Sequence, residues 1–467
     1  MSSAVGRPGA TAMASLLLAA ASGCTVLPVI TPDLAHWDPG SVRLQTANGS
    51  ILSAERSREI IARLAGGDGA ESDALTRHLA LEQTVAGTPL SLGNRVTLLE
   101  NGPDTYAAML DAIAGARDHI NLETYILEGD AAGERFADAL IGKQRAGVQV
   151  NLIRDSVGSL GTPNAFFQRL TDAGVQVVEF NPVNPLNAKA GWDVNQRDHR
   201  KLLIVDGRVA VLGGINISSV YSGGSSPGGS TGNKGKDALP WRDTDLLIEG
   251  PVVASLQKLF LETWDDQKAP APAQRDYYPA LERVGSEVVR AIGSSPDEPF
   301  SQIYVTLISA INSAETQILL TNAYFVPDPQ LMRALVGAVQ RGVDVKLIVP
   351  SVTDSSLVFH AGRSHYDELL RGGVKLYERK EALLHAKTVL IDGVWSTVGS
   401  TNLDWRSFLH NQELTAVILG PGFGDKMRQA FERDLLASNP ITLETWQRRP
   451  AGNRAMEWFA RLWEYWL

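Results

Sequence analysis

Cysteine is all but absent: Cys24 is the single one in 467 residues. That excludes a disulfide framework and any thiolate cluster for zinc or iron–sulfur chemistry. Positive charge is in short supply as well, with 43 Lys and Arg against 52 Asp and Glu and a net charge of −9. A broad nucleic-acid groove does not fit that balance, although an acidic total can hide a local basic patch. No apolar run reaches the roughly 20 residues that a bilayer-spanning helix needs. Six histidines, His36, His78, His119, His360, His365 and His410, are scattered with no metal-ligand spacing.

What is present is a repeat. His199-Arg-Lys201-Leu-Leu-Ile-Val-Asp206 and His385-Ala-Lys387-Thr-Val-Leu-Ile-Asp392 both read HxKxxxxD. Gly213-Gly214-Ile215-Asn216 and Gly399-Ser400-Thr401-Asn402 follow them at the same offset. A single pattern this short arises by chance, and a lone His or Lys on a strand is usually structural or solvated. Two copies in register, each with a matching GxxN, mark a duplicated unit, because core packing has no need of the same polar pair twice.

The spacing carries chemistry. Leu202 to Val205 and Thr388 to Ile391 read as buried strands. Residues two apart on a strand share a face, so His199 projects with Lys201 and His385 with Lys387. Asp-Gly at 206–207 and 392–393 predicts hairpin turns, after which Asn216 and Asn402 return towards the His-Lys rows. Two imidazoles, two ammonium groups and two amides then surround space for one phosphate. The lysines can neutralise a five-coordinate phosphorus; one neutral imidazole can attack while the other, protonated, serves the leaving oxygen. Such a site needs no metal or other cofactor. Asp206 and Asp392 fall on the opposite strand face and are expected to brace the hairpins.

The register holds further along. Asp243-Thr-Asp-Leu-Leu-Ile-Glu-Gly250-Pro251 parallels Glu413-Leu-Thr-Ala-Val-Ile-Leu-Gly420-Pro421 at a smaller offset. The shortfall matches the Gly- and Ser-rich stretch from Ser222 to Lys236, which reads as an insertion looping over the site mouth. Asp243 and Glu413 are thereby equivalent carboxylates.

Length exceeds what one core usually supports. Helix Pro103–Ala116, strand His119–Ile126, helix Ala131–Ala146 and strand Val148–Ile153 have counterparts in Leu307–Ala314, Gln317–Phe325, Asp328–Arg341 and Val343–Val349. This alternation predicts an α/β fold of two homologous α/β sandwich halves, at 91–266 and 297–440, sharing one central site. A Pro/Ala-rich segment opens a linker over 267–296, and an extension over 25–90 contains polar helix to which no chemistry is assigned.

Beyond the motifs, Asn121-Leu-Glu-Thr-Tyr125-Ile126, Thr321-Asn-Ala-Tyr324-Phe325-Val326-Pro327, Trp241-Arg242-Asp243, Asp404-Trp-Arg406-Ser407, Asn411-Gln-Glu413 and Trp446-Gln-Arg-Arg-Pro450 complete a pattern. Over about residues 90 to 450 the chain resembles the phospholipase D superfamily, in its cardiolipin synthase-like branch. The resemblance implies that His199 is the nucleophile, forming a phosphatidyl-histidine. His385 would protonate the leaving alcohol and then activate the acceptor. It also implies that Asp243 and Glu413 orient the histidines. Tyr125, Tyr324 and Ser400 are grouped with the substrate contacts. The implied substrates are glycerophospholipids, with an alcohol or water as acceptor, and both half-sites in one chain suit a monomer. A nuclease of the same superfamily is the alternative; a non-catalytic lipid-binding descendant is disfavoured by two intact His-Lys pairs.

The termini suggest a location. Arg7, the small and apolar run Met13–Ala21 and Ser22-Gly23-Cys24 resemble a bacterial lipoprotein signal over residues 1–24, with Cys24 as the acylated residue of an exported, membrane-associated protein. Residues 441–467 hold Trp446, Trp458, Phe459, Leu462, Trp463, Tyr465, Trp466 and Leu467 among Arg448, Arg449, Arg454 and Arg461. A helix there suits either a membrane surface or a docked position on the protein.

Overall fold

The computed structural model describes residues 27–29, 42–65, 70–85, 88–184, 192–223 and 239–467. Cys24, the run Met13–Ala21 and nearly all of the Ser222–Lys236 insertion lie outside these residues. The first half is built on β1 (Leu90–Glu100), β2 (His119–Thr124), β3 (Gln149–Asp155), β4 (Gln176–Phe180), β5 (Lys201–Val205), β6 (Val209–Gly213) and β7 (Thr244–Glu249). The second is built on β8 (Glu287–Ser294), β9 (Gln317–Asn322), β10 (Asp344–Pro350), β11 (Lys375–Arg379), β12 (Lys387–Ile391), β13 (Trp395–Gly399) and β14 (Asn411–Leu419).

Pairing runs β4-β3-β2-β5-β6-β7-β1 through the first half. It crosses from β1 to β8 and continues β14-β13-β12-β9-β10-β11. The order reads the same from both ends, so the duplication seen in the motifs is a duplication of topology. β2, β3 and β4 are parallel, as are β9, β10 and β11, which is why helices cross between them. β8 lies within the stretch expected as linker; its alternating apolar residues Val288 and Ile292 pack in the core, so the strands of the second half begin at Glu287, before the expected 297.

Alternation sets two layers. In β5, Leu203 and Val205 pack outward with Met109 and Phe136, while Leu202 and Ile204 pack inward. In β12, Val389 and Ile391 pack outward and Leu390 inward. The inward residues of both halves share one core with Leu256 and Phe260 of helix Val253–Asp266 and Phe423 and Met427 of helix Pro421–Leu436. The motif strands are therefore held from both sides, which fixes their first residues at one end of the sheet.

The Asp-Gly turns form as expected. Asp206 and Gly207 have φ +52° and +63°, and Asp392 and Gly393 have φ +50° and +72°, the left-handed pair of a tight hairpin. The Asp206 carboxylate accepts the backbone N–H groups of Arg117, Asp118 and His119 at 2.9, 2.8 and 3.0 Å. Asp392 accepts those of Glu315, Thr316 and Gln317 at 3.1, 2.8 and 3.2 Å. Each thus pins its hairpin to the start of β2 or β9.

Helix Ala70–Val85 packs on the second half. His78 Nε2 lies 3.2 Å from Asp392, and Glu82 receives Arg290 Nη1 at 2.8 Å and Trp395 Nε1 at 2.8 Å. Among the described residues no helix is long and apolar enough to cross a membrane.

Candidate active site

His199 and Lys201 stand at the start of β5, and His385 and Lys387 at the start of β12. Both histidines lie on the wall of one cavity of about 1060 Å³, its open mouth included. The carboxylates reach them across the join between halves. His199 Nδ1 donates to Glu413 Oε1 at 3.0 Å, and His385 Nδ1 donates to Asp243 Oδ2 at 2.6 Å. With Nδ1 occupied in each ring, Nε2 is left for chemistry.

The carboxylates are themselves held, and differently. Ser400 donates to Glu413 Oε2 and accepts the N–H of Leu414 at 3.0 Å. Asn411 Nδ2 donates to Glu413 Oε1 at 3.2 Å. At the equivalent of Ser400 stands Gly214, where a Cβ would come within 2.2 Å of Asp243 Oδ1. Ser400, grouped from sequence with the substrate contacts, is absent from the cavity wall; its hydroxyl is spent on Glu413.

Each lysine is buried and turns its Nζ back to the carbonyl of its own histidine at 2.5 Å. Lys387 Nζ also lies 3.0 Å from Nδ1 and 3.1 Å from Nε2 of His385. Asn216 receives the N–H of Ile126 at 3.1 Å and donates to Tyr221 at 3.2 Å. Asn402 lines the cavity with a buried Oδ1 that has no protein partner.

Burial governs the electrostatics. Desolvation, then the Lys201 and Lys387 cations, holds the His199 imidazolium well below the usual histidine range. His385 is lowered by burial and Lys387, against the pull of Asp243. Burial brings Lys201 down to about 7, with Glu413 opposing it, and raises Glu413 to about 7, with Lys201 opposing. Lys387 is lowered by burial as well. Two buried cations crowded beside the paired histidines make a site that gains by receiving an anion.

Aromatic rings shape the walls. Tyr125 meets His199 edge-on at 5.0 Å, and Tyr324 meets His385 at 6.2 Å. Asp354 accepts from the Tyr324 hydroxyl at 2.5 Å. Tyr221 and Trp241 flank His385 at 5.9 and 5.3 Å, and Arg406 lines the mouth. Sequence reasoning did not single out Tyr221 or Asp354, which lie in no repeated pattern. Trp241 and Arg406 were quoted only within segments that carry the family resemblance, with no role in the site.

Residues 109–221 and 307–435 match the family described as cardiolipin synthase, PLD-like domain, so each copy of the motif falls in its own matched segment. The chain belongs to this family. It is an enzyme of the phospholipase D superfamily, in the phosphatidyltransferase and phosphodiesterase class. A cardiolipin synthase of Geobacillus sp. (strain WCH70) is 35% identical over 387 residues, covering 82% of this chain and 74% of that relative. Cardiolipin synthase 2 of Bacillus anthracis is 35% identical over 377 residues, covering 80% and 71%. Among solved structures, a phosphatidylserine synthase of Haemophilus influenzae Rd KW20 superposes with a TM-score of 0.62 at 14% identity, over 84% of this chain and all of that one. At that identity the likeness is one of fold.

Proposed function

We propose that the protein is a cardiolipin synthase-like phosphatidyltransferase that works through a phosphohistidine. The observation that carries this reading is the pair of carboxylate-bound histidines on one cavity wall, within a chain similar to cardiolipin synthases over most of its length. His199 Nε2, kept neutral by its surroundings, attacks the donor phosphorus and forms a P–N bond. The P–O bond to the head-group alcohol breaks, and His385 gives that oxygen its proton. His385, now neutral, takes a proton from the acceptor hydroxyl, whose oxygen attacks phosphorus and releases His199.

Lys201, Lys387, Asn216 and Asn402 steady the charged oxygens of both transition states. Asp243 and Glu413 set the tautomers, and Tyr125 and Tyr324 hold the head group between the rings. The substrates are glycerophospholipids, with an alcohol or water as acceptor, taken at a membrane surface by a single chain. The leader-like run before Cys24 supports an exported, lipid-anchored protein, which mass measurement of the mature N-terminus tests directly.

The test uses purified protein with labelled phosphatidylglycerol in mixed micelles, with and without glycerol or phosphatidylethanolamine, beside His199→Ala. Labelled cardiolipin that disappears in the variant is the expected result. Phosphatidic acid alone makes the enzyme a hydrolase. An absence of any lipid product, with cleavage of single-stranded DNA, would make it a nuclease.

A further inference from the structure

The C-terminal helix Ala451–Arg461 is docked with its apolar side outward. Its buried residues are Glu457 and Ala460. Glu457 accepts from Arg449 Nε at 2.8 Å and Nη2 at 2.7 Å, and Ala460 packs with Val326 and Ala361. Trp446, just upstream, is buried between the guanidinium groups of Arg363 and Arg449, 4.8 and 4.2 Å from its ring. The large apolar side chains lie mainly outside this attachment. Trp458, Phe459, Leu462 and Trp463 are 67%, 55%, 63% and 48% exposed. A surface helix ordinarily turns its apolar stripe to the core; this one satisfies its polar residues inside and leaves its aromatics to solvent.

The exposed face is not a loose tail. It ends at Trp466 and Leu467, which form part of the active cavity's wall. Leu467 O accepts the N–H of Arg406 at 2.9 Å, and the Trp466 ring lies parallel to His410 at 6.3 Å. Leu357, partly exposed, and Val358 continue the apolar rim beside it. Arg448, Arg454 and Arg461 stand exposed around the face; Arg448 and Arg461 share their charge with Glu444 and Glu464. A protein seated on a surface that runs into the cavity wall would cover the mouth. A bilayer would instead supply what the mouth admits.

We propose that Trp458, Phe459, Leu462 and Trp463 form a docking surface for an anionic phospholipid bilayer, holding the cavity mouth at head-group depth. Trp is suited to that depth because its ring is apolar while its N–H stays hydrated, and the surrounding arginines favour anionic lipid. The orientation of the mouth rests on the function proposed above; the membrane contact does not.

The full chain and its Trp458→Ser/Phe459→Ser/Trp463→Ser variant are compared by co-sedimentation with phosphatidylglycerol/phosphatidylethanolamine vesicles. Quenching of tryptophan fluorescence by vesicles carrying brominated acyl chains is read alongside. The substituted positions are exposed, so circular dichroism should be unchanged. We expect about a tenfold or greater loss of partitioning for three large apolar side chains removed, and weaker quenching even where another segment keeps the protein on the vesicle. Equal quenching per remaining tryptophan and equal partitioning in the two proteins overturn the proposal. So does conversion of a dimer to a monomer in the variant with vesicle binding intact, which would make the occupant a second copy of the chain. Neither readout requires turnover, so loss of the lipid-product assay would sink the proposed function and leave this surface standing.

Discussion

Glu413 on β14 of the second half accepts a hydrogen bond from His199 Nδ1 of the first half at 3.0 Å. Asp243 does the same for His385 in the opposite direction. Glu413→Gln and Asp243→Asn keep the shape and remove the charge that supports an imidazolium. Turnover should fall by about 10²–10⁴-fold in each, with little change in melting temperature. Steady-state kinetics on a lipid substrate checks this, and near-native turnover in both variants would remove the carboxylates from the mechanism.

Ser400 and Gly214 give a graded version of the same test. Ser400→Ala leaves Glu413 with its histidine and Asn411, so a loss of about tenfold or less is expected. Gly214→Ala places a methyl where Asp243 Oδ1 sits and must displace that carboxylate. Its loss should approach that of Asp243→Asn, and an innocuous Gly214→Ala would mean that Asp243 is free to move.

Anion binding should depend on pH in a stated direction. Lys201 titrates at about 7 and carries its charge below that value; Glu413 titrates at about 7 and loses its charge below it. Both changes make the cavity more positive as pH falls. Orthovanadate or inorganic phosphate should therefore bind more tightly at pH 6 than at pH 8, with proton uptake. Calorimetry in buffers of different ionisation enthalpy measures that uptake, and tighter binding at the higher pH would contradict it.

Activity should persist in excess chelator, since Lys201 and Lys387 already supply the cationic charge that a metal would bring. Turnover measured before and after exhaustive dialysis against EDTA decides this. Abolition by EDTA, with recovery on adding a single divalent ion, would overturn the metal-free scheme.

The motif aspartates should behave as structural residues. Asp392→Ala leaves part-buried backbone N–H groups and the buried His78 without their carboxylate and should cost about 1–3 kcal/mol of stability. Asp392→Asn should cost less, because Asn tolerates the positive φ found there. Turnover per folded molecule should hardly change in either variant; a large loss at unchanged stability would place Asp392 in the chemistry.

The duplicated motifs, the hairpins at the two Asp-Gly pairs and the equivalence of Asp243 with Glu413 were all legible from spacing, because strand periodicity and register are local properties. Which histidine each carboxylate serves was not. That depends on the β1–β8 pairing, which brings the halves together and leaves no mark in the pattern of either. Ser400 was grouped with the substrate contacts, and only packing reveals that its hydroxyl faces Glu413. The polar helix of the extension carried no assignment from sequence; in helix Ala70–Val85, Glu82 lies between Arg290 and Trp395. For the last helix, sequence predicted an aromatic face but left open whether it covers the protein or points away from it.

The crossed carboxylates also bear on how such a chain can evolve. Ordinarily a duplicated gene product can let one copy drift into a scaffold while the other keeps working. Here damage to either lobe reaches both histidines, one through its own strand and the other through its borrowed carboxylate. The halves are free to differ in detail, as Gly214 with Asp243 and Ser400 with Glu413 do, yet neither can retire.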